Sequence, residues 1–117
     1  MSEQNIRQTI VYGNYFWEFY HSQTIEVQGK IDWVIGLVRS LQFVPERFLK
    51  HLEGTDGLYE MRIQFGSNVY RIFCCFDKGK LVILLNGFQK KTAKTPQKEI
   101  EKAKKLKQQY YESKNEQ

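Results

Sequence analysis

The sequence predicts a small α+β domain in which helices pack on an antiparallel sheet. Three consecutive segments in the second half have strand patterns and are joined by two turns that contain glycine. The first half has apolar residues at helical spacing, and the C-terminal segment is charged and amphipathic. A chain of 117 residues has the length of one domain. We therefore expect residues 1–117 to form a single domain, with 108–117 as a frayed or disordered tail.

The three predicted strands form a meander. The first, Leu58–Phe65, alternates apolar and polar residues, which is the period of a half-buried strand. The second, Val69–Phe76, is rich in β-branched and aromatic residues, and the third, Leu81–Phe88, is almost continuously apolar. Gly66-Ser67 and Lys78-Gly79 each predict a two-residue turn between neighbouring strands.

The two turns set which residues lie opposite one another. With two-residue loops, Arg62 lies opposite Arg71, and Arg71 lies opposite Asn86. Because side chains alternate between the two faces of a sheet, five residues share one face: Arg62, Arg71, Asn86, Phe88 and Lys90. The predicted core face carries Tyr59, Met61, Ile63, Phe65, Tyr70, Ile72, Cys74, Phe76, Leu81, Ile83 and Leu85. Two directly opposed arginines repel each other, so they either hold an anion between them or extend into water.

The first half predicts a strand followed by two helices. Ile6–Tyr12 is the strand, and the aromatic run Tyr15–Tyr20 either prolongs it or covers the core. Ile25–Leu41 is a helix with Thr24 as its N-cap, because its apolar residues recur on one side. Pro45–Leu52 predicts a second, short helix with proline in its first turn. We expect the two helices to form a hairpin on the apolar face of the sheet.

A C-terminal helix begins at Thr95-Pro96, with threonine as N-cap and proline at the first helical position. Ile100, Ala103, either Leu106 or Lys107, and Tyr110 mark one side of it, and the rest is charged. The charged side is either a solvated face or a basic surface near an RNA or a partner protein. The predicted order of elements is β-α-α-β-β-β-α.

Charge and composition limit the classes of partner. A net charge of +5 favours a polyanion or an acidic protein over an acidic small substrate. No apolar run is long enough to span a bilayer, and residues 1–9 lack a secretory signal pattern. We therefore expect a cytoplasmic protein with no membrane partner. The adjacent Cys74 and Cys75 are predicted to be reduced core residues, and we predict neither a metal site nor a cofactor.

The predicted arginine face suits a phosphodiester. Neither His21 nor His51 is predicted to lie on it, so a nucleophilic triad is not supported. Its cations bind phosphate oxygens, and they stabilise the charge that develops on a pentacovalent phosphorus. An aromatic ring holds a base by stacking, and RNA supplies its own nucleophile, the 2′-OH. The residues concerned are Arg62, Arg71, Lys90, Lys91 and Phe88, with Glu60 as the only acid on this face.

Several short motifs follow one another in the second half of the chain. They are Glu53-Gly54 with Gly57–Arg62, then Tyr70–Phe73, then Leu84–Phe88 with Lys90–Thr92, and finally Thr95-Pro96 followed by Glu99-Ile100 and Ala103. In this order they resemble the phage-derived, HigB-like branch of the RelE/ParE toxin superfamily. The first half matches that branch in layout. The resemblance implies a RelE-like α+β fold, with a helix pair and a terminal helix against an antiparallel sheet.

The resemblance also implies the toxin of a type II toxin–antitoxin system. Most such toxins are mRNA interferases, ribosome-dependent endonucleases that leave a 2′,3′-cyclic phosphate and a 5′-OH. The implied partners are mRNA in the ribosomal A site and a cognate helix-turn-helix antitoxin, which forms a hetero-oligomer with the toxin. Two alternatives stay open: a ParE-like, non-enzymatic inhibitor of DNA gyrase, and an inactive homologue retained for antitoxin binding.

The resemblance assigns roles to individual residues of this chain. Arg62 and Arg71 match the arginines that contact the scissile phosphate, and Phe88 matches the aromatic residue of the terminal strand. Lys90 and Lys91 match a basic pair proposed to stabilise the phosphate and transfer a proton, with Glu60 as the alternative base. Asn86 and Lys94 complete the expected RNA-binding set.

Overall fold

The computed structural model describes residues 5–115. It contains a five-stranded sheet and three helices, and it confirms the predicted fold class. The elements are β1 (Gln8–Val11), α1 (Tyr15–His21), α2 (Ile25–Ser40), β2 (Leu49–His51), β3 (Tyr59–Phe65), β4 (Asn68–Asp77), β5 (Leu81–Lys90) and α3 (Gln97–Asn115). The strand order is β1-β5-β4-β3-β2. The sheet is mixed and not wholly antiparallel as predicted, because β1 runs parallel to β5 whereas all other neighbouring strands are antiparallel. The order of elements has one strand more than predicted, since β2 precedes the three strands of the meander.

Helices cover both faces of the sheet, so the protein has two apolar layers. The first layer lies under α1 and α2 and contains Phe16, Phe19, Val27, Ile31, Val34, Val38, Met61, Ile63, Tyr70, Ile72, Cys74, Val82 and Leu84. The second lies under α3 and contains Leu58, Phe73, Cys75, Ile83, Leu85, Ala103, Leu106 and Tyr110. Both cysteines are reduced and buried, as predicted.

The aromatic run after β1 is a helix, which the sequence did not predict. Phe16 and Phe19, three positions apart, are both buried in the first layer and anchor α1 to the sheet. Trp17 lies on the outer side and is 42% exposed. The helical pair on this face is therefore α1 with α2. The prediction for α2 is confirmed, including its N-cap, because the Thr24 hydroxyl accepts a hydrogen bond from the Val27 N–H at 3.2 Å.

The predicted short helix at Pro45–Leu52 is wrong. Only one turn forms there, in which the N–H groups of Phe48 and Leu49 donate to the Pro45 carbonyl. The chain then becomes β2, which pairs with Tyr59–Met61 of β3. The Phe48 carbonyl accepts the Arg62 N–H, so the segment satisfies backbone groups of β3 that a helix would leave without a partner.

The first hairpin has the predicted register, but the second does not. Phe65 lies opposite Asn68, and Arg62 lies opposite Arg71. The second hairpin pairs Asp77 with Leu81, so its loop has one residue more than the two predicted. This shift by one position moves a set of β5 residues from the predicted core face to the face under α3: Leu81, Ile83 and Leu85.

A bulge shifts the register of β5 by one further position. Cys74 lies opposite Leu84, whereas Ile72 lies opposite Gly87, so two residues of β5 face the single residue Phe73. Arg71 consequently lies opposite Phe88 and not opposite Asn86, as predicted. The two shifts together amount to two positions, which restores the predicted face for the end of β5.

Helix α3 continues to Asn115 and includes most of the segment for which a frayed tail was predicted. Tyr110 is buried and donates to the Asp77 carboxylate at 2.6 Å, and Tyr111 donates to the Phe76 carbonyl at 2.6 Å. These contacts fasten the second half of α3 to the end of β4. The described residues do not include 116 and 117 of the predicted tail. They also do not include residues 1–4, which belong to the segment without a predicted secretory signal. Among the described helices, none combines the length and apolar character needed to cross a membrane.

Candidate active site

The two arginines that the sequence placed opposite each other are adjacent on neighbouring strands. Arg62 on β3 and Arg71 on β4 form a cross-strand pair. Both lie on the face of the sheet that α3 covers. They are closer to the Gly66 turn than the apolar residues that pack against α3. Arg71 is 8% exposed. A pair of like charges in such a position requires a counter-charge.

Glu60 supplies that counter-charge. It is buried and lies two residues before Arg62 on β3, so its side chain points to the same face of the sheet. Its Oε1 lies 3.3 Å from Nε of Arg62 and 3.8 Å from Nε of Arg71. One carboxylate oxygen therefore serves two guanidinium groups, and neither contact has hydrogen-bond geometry. The cluster retains one net positive charge.

Several hydrogen-bonding groups in this cluster are unused. Nε of Arg62, Nε of Arg71 and Oε2 of Glu60 are all buried without a hydrogen-bond partner among the described residues. Buried polar atoms in native proteins almost always have partners. Two free donors and one free acceptor at one place are the complement of a phosphate group next to a hydroxyl.

The electrostatic environment of Arg71 agrees with a site for an anion. Burial lowers the pKa of its guanidinium, and the charge of Arg62 lowers it further, whereas Glu60 partly opposes this change. The positive charge of Arg71 is thus incompletely compensated. A phosphate between the two arginines would supply the compensation that a single carboxylate does not.

The bulge in β5 brings an amide group to the same face. Asn86 is 1% exposed, and its Nδ2 donates to the carbonyl and to Oε1 of Glu99, at 3.1 and 3.0 Å. Its Oδ1 is buried without a partner among residues 5–115. Phe88 follows on the same face, half-buried, with its ring 5.4 Å from that of Phe73. Glu99 was not predicted as part of the site, because only packing brings the first turn of α3 to the bulge.

The three predicted lysines differ in position. Lys90 ends β5 opposite Val69 and shares the arginine face, as predicted. Lys91 and Lys94 follow the strand in the exposed linker before α3, where the Lys94 carbonyl accepts the Thr92 hydroxyl. No ion pair or hydrogen bond within the described part of the chain joins these lysine side chains to the arginine cluster.

The buried thiols are unsuited to nucleophilic chemistry. Burial raises the pKa of the Cys75 thiol to about 11, and burial raises that of Cys74 still more strongly. Both groups are therefore protonated at neutral pH and behave as small apolar residues. The cationic cluster remains as the chemical centre of this face.

An open cleft of about 690 Å³ extends from the arginine pair around the free edge of β3. Beyond Arg62 and Arg71 it is lined by residues that the sequence did not predict as functional: Lys30 and Trp33 on α2, and Arg47 and Phe48 before β2. The sequence gave no sign that these residues belong to the site, because they are far from Arg62 and Arg71 in the chain. Only the packing of α2 beside β3 brings them to the arginines.

A family model described as "Phage derived protein Gp49-like (DUF891)" matches residues 18–108, which is well over half of the chain. The chain belongs to the Gp49-like family. The matched range runs from α1 to the middle of α3 and includes every predicted site residue. A search of curated proteins finds no match.

The Gp49-like family is phage-derived and of the RelE toxin type, so the coarser part of the resemblance is confirmed. The match does not distinguish the HigB-like branch within it. In this Gp49-like chain, the family range contains α2, the strands β2 to β5 and the arginine cluster, whereas β1 lies before it.

Proposed function

We propose that this Gp49-like protein is the toxin of a type II toxin–antitoxin pair, of the HigB-like branch, and that it cleaves mRNA on the ribosome. The observation that supports this most is the cluster of Glu60, Arg62 and Arg71 on one face of the sheet. It holds a net positive charge and unused buried donors where a phosphate would fit.

The reaction that suits such a cluster is transesterification within RNA. The 2′-oxygen attacks the adjacent phosphorus, the bond from phosphorus to the 5′-oxygen breaks, and a 2′,3′-cyclic phosphate and a 5′-OH result. The protein has to orient the strand and stabilise the additional negative charge on the phosphoryl oxygens. Arg62 and Arg71 supply the charge through planar groups that match two phosphate oxygens.

Two protons move in this reaction, one from the 2′-OH and one to the 5′-oxygen. Oε2 of Glu60 is the carboxylate acceptor without a partner in the cluster, so we assign it the 2′-OH proton. Lys90 lies on the same face and is assigned the protonation of the leaving oxygen, with Lys91 adjacent to it. Asn86, Phe88 and Lys94 are assigned to holding the strand, with Phe88 stacking on a base.

The proposed partners follow from the function. A ribosome presents mRNA as a single strand in the A site, which the positively charged face and the Phe88 ring suit. A cognate antitoxin with a helix-turn-helix domain would bind the toxin as a hetero-oligomer and block the same face. The protein would then act in the cytoplasm.

The test is growth arrest after induction, combined with sequencing of 5′-OH ends of cellular RNA. Wild-type protein is expected to arrest growth and to produce new 5′-OH ends at a fixed position within codons. Arg71→Ala should lower cleavage about 100-fold or more, which is the usual loss for one transition-state donor. Arg71→Lys should recover only part of it, because an ammonium group keeps the charge but loses the two-pronged contact.

A surface lysine provides the control. Lys80 is exposed in the β4–β5 turn at the opposite end of the strands, and Lys80→Ala should cleave as the wild type does. Full activity of Arg62→Ala and Arg71→Ala would contradict the phosphate assignment. Broken DNA with intact mRNA would instead indicate gyrase inhibition, and antitoxin binding without arrest would indicate an inactive homologue.

A further inference from the structure

The cleft that begins at the arginine pair is open along an unpaired strand edge. Strand β2 pairs with β3 only as far as Met61, and the Phe48 carbonyl takes the N–H of Arg62. From Ile63 to Phe65, β3 pairs with β4 on one side, and no strand of residues 5–115 pairs with it on the other. The cleft follows this edge from Arg71 to the side of α2.

The far part of the cleft combines aromatic rings with cations. The Trp33 ring meets the Phe48 ring edge-on, with centroids 5.3 Å apart. Nζ of Lys30 lies 4.5 Å from the Trp33 ring, and the Arg47 guanidinium lies 4.8 Å from the Phe48 ring. Of the described residues that line the cleft, none is acidic. The four cations of the cleft therefore face it without a carboxylate among the lining groups.

Trp33 is available to a ligand. It is 49% exposed, although it belongs to the helix whose other side forms the core. About half of this residue remains exposed, with Lys30 against its ring and Arg47 against the neighbouring Phe48 ring. A flat aromatic ligand that carries negative charge fits both features, because the ring stacks and the cations bind the charge.

We propose that this cleft, formed by Trp33, Phe48, Lys30 and Arg47 next to the arginine pair, binds a nucleotide of a single-stranded RNA that flanks the phosphate held by Arg62 and Arg71. The base stacks on Trp33, and Lys30 and Arg47 bind the phosphates on either side. The cleft thereby sets the path of the strand across the edge of the sheet. This inference rests on the proposed RNA substrate but concerns binding, which is measured without cleavage.

An acidic protein segment is the competing occupant, and the ring favours RNA over it. A carboxylate-rich peptide would use the cations but has no reason to require a half-exposed tryptophan beside Lys30. A single-stranded nucleic acid uses both, since every base has a face that can stack. A duplex has its bases stacked within it, so it would use the cations alone.

The first experiment uses the fluorescence of the two tryptophans of the full chain. A 2′-O-methyl oligouridylate serves as the probe, because it has no 2′-OH and cannot be cleaved. In Trp17→Phe, where Trp33 is the remaining tryptophan, the probe should quench emission to saturation. In Trp33→Phe, where Trp17 remains, emission should change little.

The second experiment compares affinities for the same probe. Trp33→Ala should bind about 5- to 150-fold more weakly, the range for the loss of one stacked base. Trp17→Ala is the matched control, since Trp17 is similarly exposed, at 42%, but lies on α1 outside the cleft. Lys30→Gln and Arg47→Gln should each make the negative slope of log K against log salt concentration shallower by about 0.7, because each removes one phosphate contact. Lys80→Gln should leave that slope unchanged.

The outcomes separate this inference from the proposed enzyme. Equal binding by Trp33→Ala and Trp17→Ala would overturn the cleft assignment, even if Arg71→Ala abolished cleavage. Loss of binding in Trp33→Ala would support the cleft, even if the wild-type protein cleaved no mRNA. Displacement of the probe by polyglutamate as readily as by unlabelled RNA, with no quenching of Trp33, would assign the cleft to an acidic protein and overturn the inference.

Discussion

Replacing Gly87 with alanine should destabilise the protein, because β5 passes close beneath the Phe19 ring at this position. A Cβ atom on Gly87 would lie 2.4, 2.8 and 2.9 Å from three carbons of that ring. Carbon atoms in contact are normally about 3.5–4.0 Å apart. The ring would thus have to move by about 1 Å in a close-packed interior. Phe19 is 8% exposed and packs on Tyr70, so little space is available.

The expected loss follows from two opposing contributions. Overpacking a core costs about 1–3 kcal/mol, whereas alanine in place of glycine in a strand gains about 0.5–1 kcal/mol. Because three ring carbons would lie within 3.0 Å of the new Cβ, the upper part of the overpacking range applies, about 2–3 kcal/mol, and the free energy of unfolding should fall by about 1–2.5 kcal/mol. Urea denaturation followed by far-UV circular dichroism should show the midpoint lowered by about 1 M.

Gly29→Ala is the matched control. It is the same substitution in α2, at an exposed position where a Cβ meets nothing within 4 Å. It should stabilise the protein by about 0.5–1 kcal/mol, since alanine favours the helix. Phe19→Leu should reduce the effect of Gly87→Ala when the two are combined, because the smaller side chain removes the clash. A Gly87→Ala protein as stable as the wild type would refute the reasoning.

Two further predictions concern buried carboxylates. Glu60→Gln leaves Arg62 and Arg71 opposed without a counter-ion. Because the Arg62 side chain is partly exposed, the cost is below that of a fully buried pair, and the free energy of unfolding should fall by about 1–3 kcal/mol. Added sulfate should restore stability in this variant more than in the wild type, and equal responses would argue against an anion site. Asp77 accepts hydrogen bonds from Lys114 and Tyr110, and these two bonds lower the pKa of its carboxyl group, with Lys114 having the larger effect. The contribution of Asp77 to stability is therefore present above about pH 4, and it is lost as the pH falls through the lowered pKa. In Asp77→Asn, the urea midpoint should depend less on pH below about pH 4 than it does in the wild type. A pH dependence equal to that of the wild type would contradict this assignment.

Patterns within single segments predicted much of the sheet. The alternation of β3 and the Gly66 turn fixed the pairing of Arg62 with Arg71, because a two-residue hairpin leaves one register. The glycine has the positive φ, +60°, that such a turn requires. These are local properties, so the sequence alone was sufficient to find the arginine pair and its face.

The errors occurred where packing between elements overrides local pattern. Pro45–Leu52 has residues suited to a short helix, but the edge of β3 supplies backbone partners that make a strand more favourable. Similarly, Lys78-Gly79 suggested a two-residue turn, but the loop includes Lys80. Lys78 itself adopts a positive φ of 55°, which its side chain gave no reason to expect.

The register of β5 shows how a tertiary contact decides a face. The bulge leaves Leu85 and Asn86 on the side of α3 and turns Gly87 towards α1. The close approach of Phe19 to Gly87 and the hydrogen bonds of Asn86 to Glu99 both require it. Neither contact can be read from β5, because each partner lies in a helix that meets the strand only when the helix packs on the sheet.

The sequence by itself determined the family resemblance, the α+β class and the pairing of two arginines on one face, since each depends on residue type and short-range spacing. Only the tertiary structure decided what surrounds that pair. It placed Glu60 within reach of both guanidinium groups, brought Glu99 to Asn86, and joined the pair to Trp33 by a cleft. Charges and rings from separate elements meet only when the helices pack against the sheet, and that packing is a property of the whole chain.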